Sequence, residues 1–121
     1  METVSMAELR TQLMATRAQI GKVVPEMEQA IKNKIKAKSA YKLALAKAKI
    51  KAMQQAKSRE EKTPTMINAV AEIMIEKEQA VLDKAEIWET ALQLKLDTLE
   101  EDCAAIKKAM GTLETEMKTF G

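Results

Sequence analysis

Along the second half of the chain, apolar residues return at alternating separations of three and four. The series runs Val81, Ala85, Trp88, Leu92, Leu96, Leu99, Cys103, Ile106, Met110, Leu113, Met117 and Phe120. That spacing is the heptad seam of a coiled coil, with one extra four-residue step near Leu96, a stutter at which supercoiling should relax. Ile67, Val70 and Met74 extend it upstream. The first half answers less regularly, through Leu9, Leu13 and Ile20 with Thr16 in the slot between, then Val24, Met27, Ile31, Ile35, Tyr41, Leu45, Ala48 and Ala52. The small residues ending this list would let two helix backbones approach closely.

Local signals bound these patterns. Ser5-Met6-Ala7-Glu8 has the form of a capping box, in which the Ser5 hydroxyl and the Glu8 carboxylate each accept from the other residue's backbone N–H. A helix is therefore expected from Met6. Pro25 interrupts it, because a proline ring collides with the carbonyl four residues back, here that of Gly21. The outcome is a kink or a break near residues 21–25, and the absence of Ser, Asp or Asn at residue 24 favours a kink. Thr63-Pro64 reads as an N-cap followed by a proline at the first helical position, where its missing N–H costs nothing. The prediction is a single domain over residues 1–121, with an arm at 6–58, a turn at 59–63 and an arm at 64–119. Two arms of nearly equal length about one turn make an antiparallel helical hairpin, each arm spanning roughly 80 Å if straight.

A second apolar stripe lies outside that seam. Ile73, Ala80, Ile87 and Leu94 repeat every seven residues, while Leu43 and Ile50 flank Ala46 on the first arm. A two-helix hairpin has nowhere to bury two stripes. Either the N-terminal segment folds back into a three-helix bundle, or hairpins associate; self-association is the favoured expectation, as a homo-oligomer through Leu43, Ile50, Ile73, Ile87 and Leu94.

Composition narrows the class to all-α. Trp88, Tyr41 and Phe120 are the only aromatic residues, and three glycines and two prolines leave little for the turns of a sheet protein. No apolar run approaches the length of a membrane span, and the N-terminus lacks a signal-peptide pattern, so a cytoplasmic protein with no membrane partner is expected. A single cysteine, Cys103, permits no internal disulfide and reads as a small buried hydrophobe.

Catalytic chemistry has little to work with. There is no histidine, and only Ser5, Ser39 and Ser58 offer serine hydroxyls, so no Ser–His or Cys–His pair exists. Zinc sites and Glu-x-x-His di-iron sites are likewise excluded. Glu72, Glu76 and Asp83 supply oxygens, but their pattern is that of a solvated helix face, and three scattered glycines make no phosphate-cradling loop. No catalytic residue, metal, cofactor or small-molecule substrate is expected.

Charge is what remains to be explained. Residues 29–63 carry a net charge of +9 and residues 64–121 a net of −6. In a hairpin turning near residue 61, residue i lies across from 122 − i, which sets Lys36 near Glu86, Lys38 near Asp83, Lys47 near Glu76 and Lys49 near Glu72. Such exposed pairs fix register more than they stabilise, at about 0–1 kcal/mol each. The negatives do not balance the positives, and the lysines surround the helix. Lys32, Lys36, Lys42, Lys47, Lys49, Lys51 and Lys57 are therefore candidates for phosphate contact without base readout. With arginine nearly absent from the run and Tyr41 the only stacking ring, a single-strand platform has weak support. The alternative is a protein-binding module working through the apolar stripe or the acidic patch of Asp97, Glu100, Glu101 and Asp102. A structural coiled-coil spacer is a third reading, with only the heptads behind it.

Tyr41-Lys42-Leu43-Ala44-Leu45-Ala46-Lys47-Ala48, then Lys62-Thr63, then Ala85-Glu86-Ile87-Trp88 and Ala91-Leu92-Gln93-Leu94-Lys95-Leu96-Asp97-Thr98-Leu99 carry a resemblance. The stretch resembles a group of small helical proteins of bacteriophages and prophages, often encoded among replication and recombination genes. It covers roughly residues 40 to 100. The resemblance implies the host cytoplasm and a non-enzymatic accessory role, with DNA or a host or phage protein as partner and no catalytic residue to carry over. As a protein-binding module, such a chain would inhibit or regulate a host nuclease or defence complex. The proline-interrupted N-terminal arm stands outside that pattern.

Overall fold

A computed structural model describes residues 5–120 and the side chains of residues 5–119, so the expected place of Phe120 at the end of the seam lies outside the described residues. Among the described residues the chain is all helix: α1 (Met6–Gln55), α2 (Pro64–Met74) and α3 (Glu76–Phe120). It is a helical hairpin, with α1 packing against α3. None of these helices is long and apolar enough to cross a membrane.

The start of α1 is held by the capping box. The Ser5 N–H donates to Glu8 Oε2 at 3.3 Å, and the Glu8 N–H donates to Ser5 Oγ at 3.2 Å. The helix then runs through Pro25 as a single assigned element, with no cis peptide and no positive φ among the described residues. The N-terminal segment therefore does not fold back as a separate third helix. A proline costs its helix one hydrogen bond and a clash with the carbonyl four residues back, here that of Gly21, where nothing lies within 4 Å of the place a Cβ would take.

The turn is tied by its own polar groups. The Lys57 N–H donates to Glu61 Oε2 at 2.6 Å, and the Glu61 N–H donates to Ser58 Oγ at 3.2 Å. Thr63 then takes extended geometry (φ −65°, ψ 146°), accepts from the Met66 N–H at 3.3 Å, and passes the chain to Pro64. This is the expected N-cap, satisfying one of the amides that a helix start leaves unpaired.

The second arm differs from the expectation of one helix over 64–119. It is divided at Ile75 (φ −112°, ψ 24°), whose carbonyl accepts from the Gln79 N–H at 2.9 Å to open α3. The cause lies in the spacing of covered positions. Ile67, Ala71 and Ile75 follow one another at steps of four, whereas from Ile75 onward the steps alternate three and four. A change of phase that a continuous helix would absorb as a stutter is taken up here by a break. The extra step expected near Leu96 is absent.

Contacts group the chain into two units, Met1–Glu28 with Thr90–Gly121, and Gln29–Glu89. In the first, Leu9, Leu13, Val23 and Met27 of α1 and Leu92, Leu99 and Cys103 of α3 are buried, with Thr16, Ile20, Leu96, Ile106, Met110 and Leu113 half-buried in the same series. Val23, 2% exposed, takes the place expected for Val24, which is 40% exposed. Cys103 is a free, buried thiol.

The second unit is built on small side chains. Ala30 and Ala71 are fully buried, and Ala48, Ala71 and Ile75 form a cluster flanked by Tyr41, Ala44 and Leu45. Here the seam keeps Ala85, Tyr41 and Ala48 of the sequence reading and shifts by one residue at other positions of each helix. On α3 it passes through Ile75, Glu78, Leu82, Ala85 and Glu89, leaving Val81 at 59% and Trp88 at 39% exposure. On α1 it passes through Ala30, Lys34, Ala37, Tyr41, Ala44 and Ala48, leaving Ile31 and Ile35 exposed. The alanines explain the choice: with no bulk at these positions the helices come close, and close helices leave no room between them for Trp88.

Candidate functional site

The second unit holds most of the charge and most of the uncovered apolar surface, and each follows from the heptad phase. Positions flanking the seam on one side are Lys38, Lys42 and Lys49 of α1, with Glu72, Glu76, Asp83 and Glu86 of α3. Opposite signs thus share that side, and a hollow of about 380 Å³ there is lined by Tyr41, Glu72, Ile75, Glu76, Gln79, Ala80 and Asp83. On the other side α1 presents Lys36, Ala40, Leu43, Lys47 and Ile50, and α3 presents Met74, Lys77, Val81, Lys84 and Trp88. That side is apolar and cationic.

Between the helices on this second side runs a groove of about 530 Å³, lined by Asn33, Lys36, Ala37 and Ala40 of α1 and by Val81, Lys84, Ala85 and Trp88 of α3. A smaller hollow of about 230 Å³ shares Ala37, Ala40 and Val81 and continues to Lys77 and Glu78. The alanines form the floor, Val81 and Trp88 one wall, and lysine side chains the rims. Sequence reasoning missed this groove because it placed Val81 and Trp88 inside the seam. The signal was present in the pairs Val81/Leu82 and Trp88/Glu89, where either neighbour serves as the seam residue.

Of the candidate lysines, Lys32, Lys36, Lys42, Lys47, Lys51 and Lys57 are exposed and Lys49 is half-buried. Among the described residues the ion pair is Lys34–Glu89, Nζ to Oε2 3.0 Å. Of the expected pairs, those of Lys38, Lys47 and Lys49 with Asp83, Glu76 and Glu72 are not among the ion pairs of the described residues. Register is nonetheless within one residue of expectation, since 34 and 89 sum to 123 against the anticipated 122.

The candidate protein-interface residues are all uncovered. Leu43 and Ile50 are each 58% exposed, and Ile73, Ile87 and Leu94 are 67–68% exposed. In the first unit, Asp97, Glu100, Glu101 and Asp102 are all exposed as well. No group of three or more His, Cys, Asp or Glu side chains is placed to hold a metal ion among the described residues. No protein-family model, curated protein or solved structure matches this chain.

Proposed function

We propose that this chain is a non-enzymatic accessory protein whose α1 lysines contact the phosphate backbone of nucleic acid without reading its sequence. One observation carries the reading: from Lys32 to Lys57, α1 and the residues just after it hold nine lysines and no carboxylate, and six of the seven candidates among them are exposed. Lysines on a rigid helix act as point charges, releasing counterions from a polyanion and giving affinity that falls steeply with salt. The resemblance of residues 40–100 to bacteriophage accessory proteins fits a role in replication or recombination in a host cytoplasm.

The test is fluorescence anisotropy with labelled single- and double-stranded DNA at low and moderate salt. It is run on the chain and on the variant with Lys42, Lys47, Lys49 and Lys51 changed to Gln. Salt-sensitive binding that the variant loses supports the reading; no binding at low salt, or binding indifferent to the four changes, sinks it.

The uncovered apolar residues favour a second reading, a self-associating or protein-binding module. Leu43, Ile50, Ile73, Ile87 and Leu94 are large apolar side chains more than half exposed, and uncovered apolar surface marks interfaces. Sedimentation at micromolar concentration tests self-association, and a clean monomer there argues against it. In this reading the partner protein is a host nuclease or defence complex that the chain inhibits or regulates.

A further inference from the structure

We infer that the groove between α1 and α3 is a docking site for an acidic amphipathic helix of another protein, which completes a three-helix bundle. The groove shares Lys36 with the candidate phosphate contacts of α1 but is walled by α3, and the inference does not depend on nucleic-acid binding. Its argument is geometric and electrostatic. Two helices in contact leave a furrow on each side, and here the two furrows differ. The one beside Glu72, Glu76 and Asp83 is lined by those three carboxylates and by no lysine. The one beside Val81 and Trp88 is rimmed by Lys36, Lys77 and Lys84, with Glu78 its single lining carboxylate.

The lining fits a helix better than an extended strand or a small molecule. Ala37, Ala40 and Ala85 keep the floor shallow, so a third backbone can settle close to both helices. The groove lies along the helix axes, and the pattern continues past it: Leu43 follows Lys36 by seven residues, and Met74 precedes Val81 by seven. Positions seven apart lie on one face two turns on, so apolar contact extends along the furrow toward the turn. Lysine rims outside an apolar floor require the reverse arrangement in the occupant, an apolar stripe flanked by carboxylates. A second copy of this chain fits poorly: two such furrows placed face to face would bring Lys36, Lys77 and Lys84 against their own kind. Nucleic acid has no apolar stripe to meet Val81.

Trp88 makes the test direct, because it is the only tryptophan in the chain. The probe is a synthetic helical peptide of about 20 residues, roughly 30 Å long, with leucines at i, i+3, i+4 and i+7 and glutamates on both flanks. A counterpart carries lysine in place of each glutamate. Added to the full chain, the acidic peptide is expected to shift Trp88 emission to shorter wavelength saturably, and the basic one to leave it unmoved. Ala40→Glu, at an exposed floor position, is expected to abolish the shift with the helical circular dichroism unchanged. Lys36→Glu with Lys84→Glu should weaken the acidic peptide by about tenfold or more and admit the basic one. Emission that ignores the acidic peptide, or moves equally with both, overturns the inference. So does the same blue shift on concentrating the chain alone, which would put a second copy in the groove, or on adding duplex DNA, which would put a polyanion there. Anisotropy of labelled DNA reads the lysine face separately, so failure of one proposal is distinguishable from failure of the other.

Discussion

Lys34 and Glu89 oppose each other at seam positions of the two helices, Nζ to Oε2 3.0 Å, where the heptads would place apolar side chains. Glu89 Oε2 is itself buried, and the Lys34 ammonium 3.0 Å away is the group that offsets its charge. Both side chains keep some solvent access, 36% for Lys34 and 25% for Glu89. A polar pair at such a place selects one alignment of two helices over its neighbours, at a cost in stability.

Removing one partner should therefore hurt more than removing both. Lys34→Met is expected to destabilise by about 1–3 kcal/mol, because it strands a partly buried carboxylate. Lys34→Met with Glu89→Leu should recover most or all of that loss, or exceed the parent. Urea denaturation of the three chains measures it, and a double variant weaker than the single one contradicts the account.

Ala71 is 0% exposed and packs with Ala48 and Ile75, where no room exists for a longer side chain. Ala71→Leu should cost about 1–3 kcal/mol through overpacking. The neighbouring exposed change Val70→Leu serves as the control and should alter the midpoint little.

Thr63 caps α2 through its hydroxyl, which accepts from the Met66 amide at 3.3 Å. Thr63→Ala removes that acceptor and should cost about 1 kcal/mol, whereas Thr63→Ser should keep most of it. Equal losses from the two variants would show that the hydroxyl contributes nothing.

Gly111 sits inside α3 with nothing within 4 Å of where a Cβ would stand. Gly111→Ala should stabilise by about 0.5–1 kcal/mol, by lowering the freedom of the unfolded chain at no steric cost. Thermal unfolding followed by circular dichroism registers the gain as a higher midpoint.

Much of this architecture is legible in the chain because it rests on neighbours. The Ser5–Glu8 box and the Thr63-Pro64 start are local chemistry, and each forms as its sequence requires. From Leu92 to Leu113 the seam also follows, since Leu99, Cys103 and Ile106 have no rival beside them of comparable size, whereas Met117, expected next, is 59% exposed. The reading slips where large apolar residues adjoin the true seam: Val24 beside Val23, Ile31 beside Ala30, Val81 beside Leu82, Trp88 beside Glu89. One residue turns a helix by about 100°, so bulk alone misleads. The deciding quantity is how close the helices come, and that depends on alanines of both arms together. The groove went unseen for the same reason, since its wall is made of residues the bulk rule had sent inward.

The interruption at Ile75 gives the hairpin's tip a melting event of its own. A helix frays inward from its end, and Pro64–Met74 frays from Thr63. Glu76–Phe120 begins afresh at the Gln79 amide, so unzipping of the short segment stops there. Amide protons of residues 67–74 should accordingly exchange with deuterium sooner than those of residues 82–99, whose opening needs the longer helix to come apart.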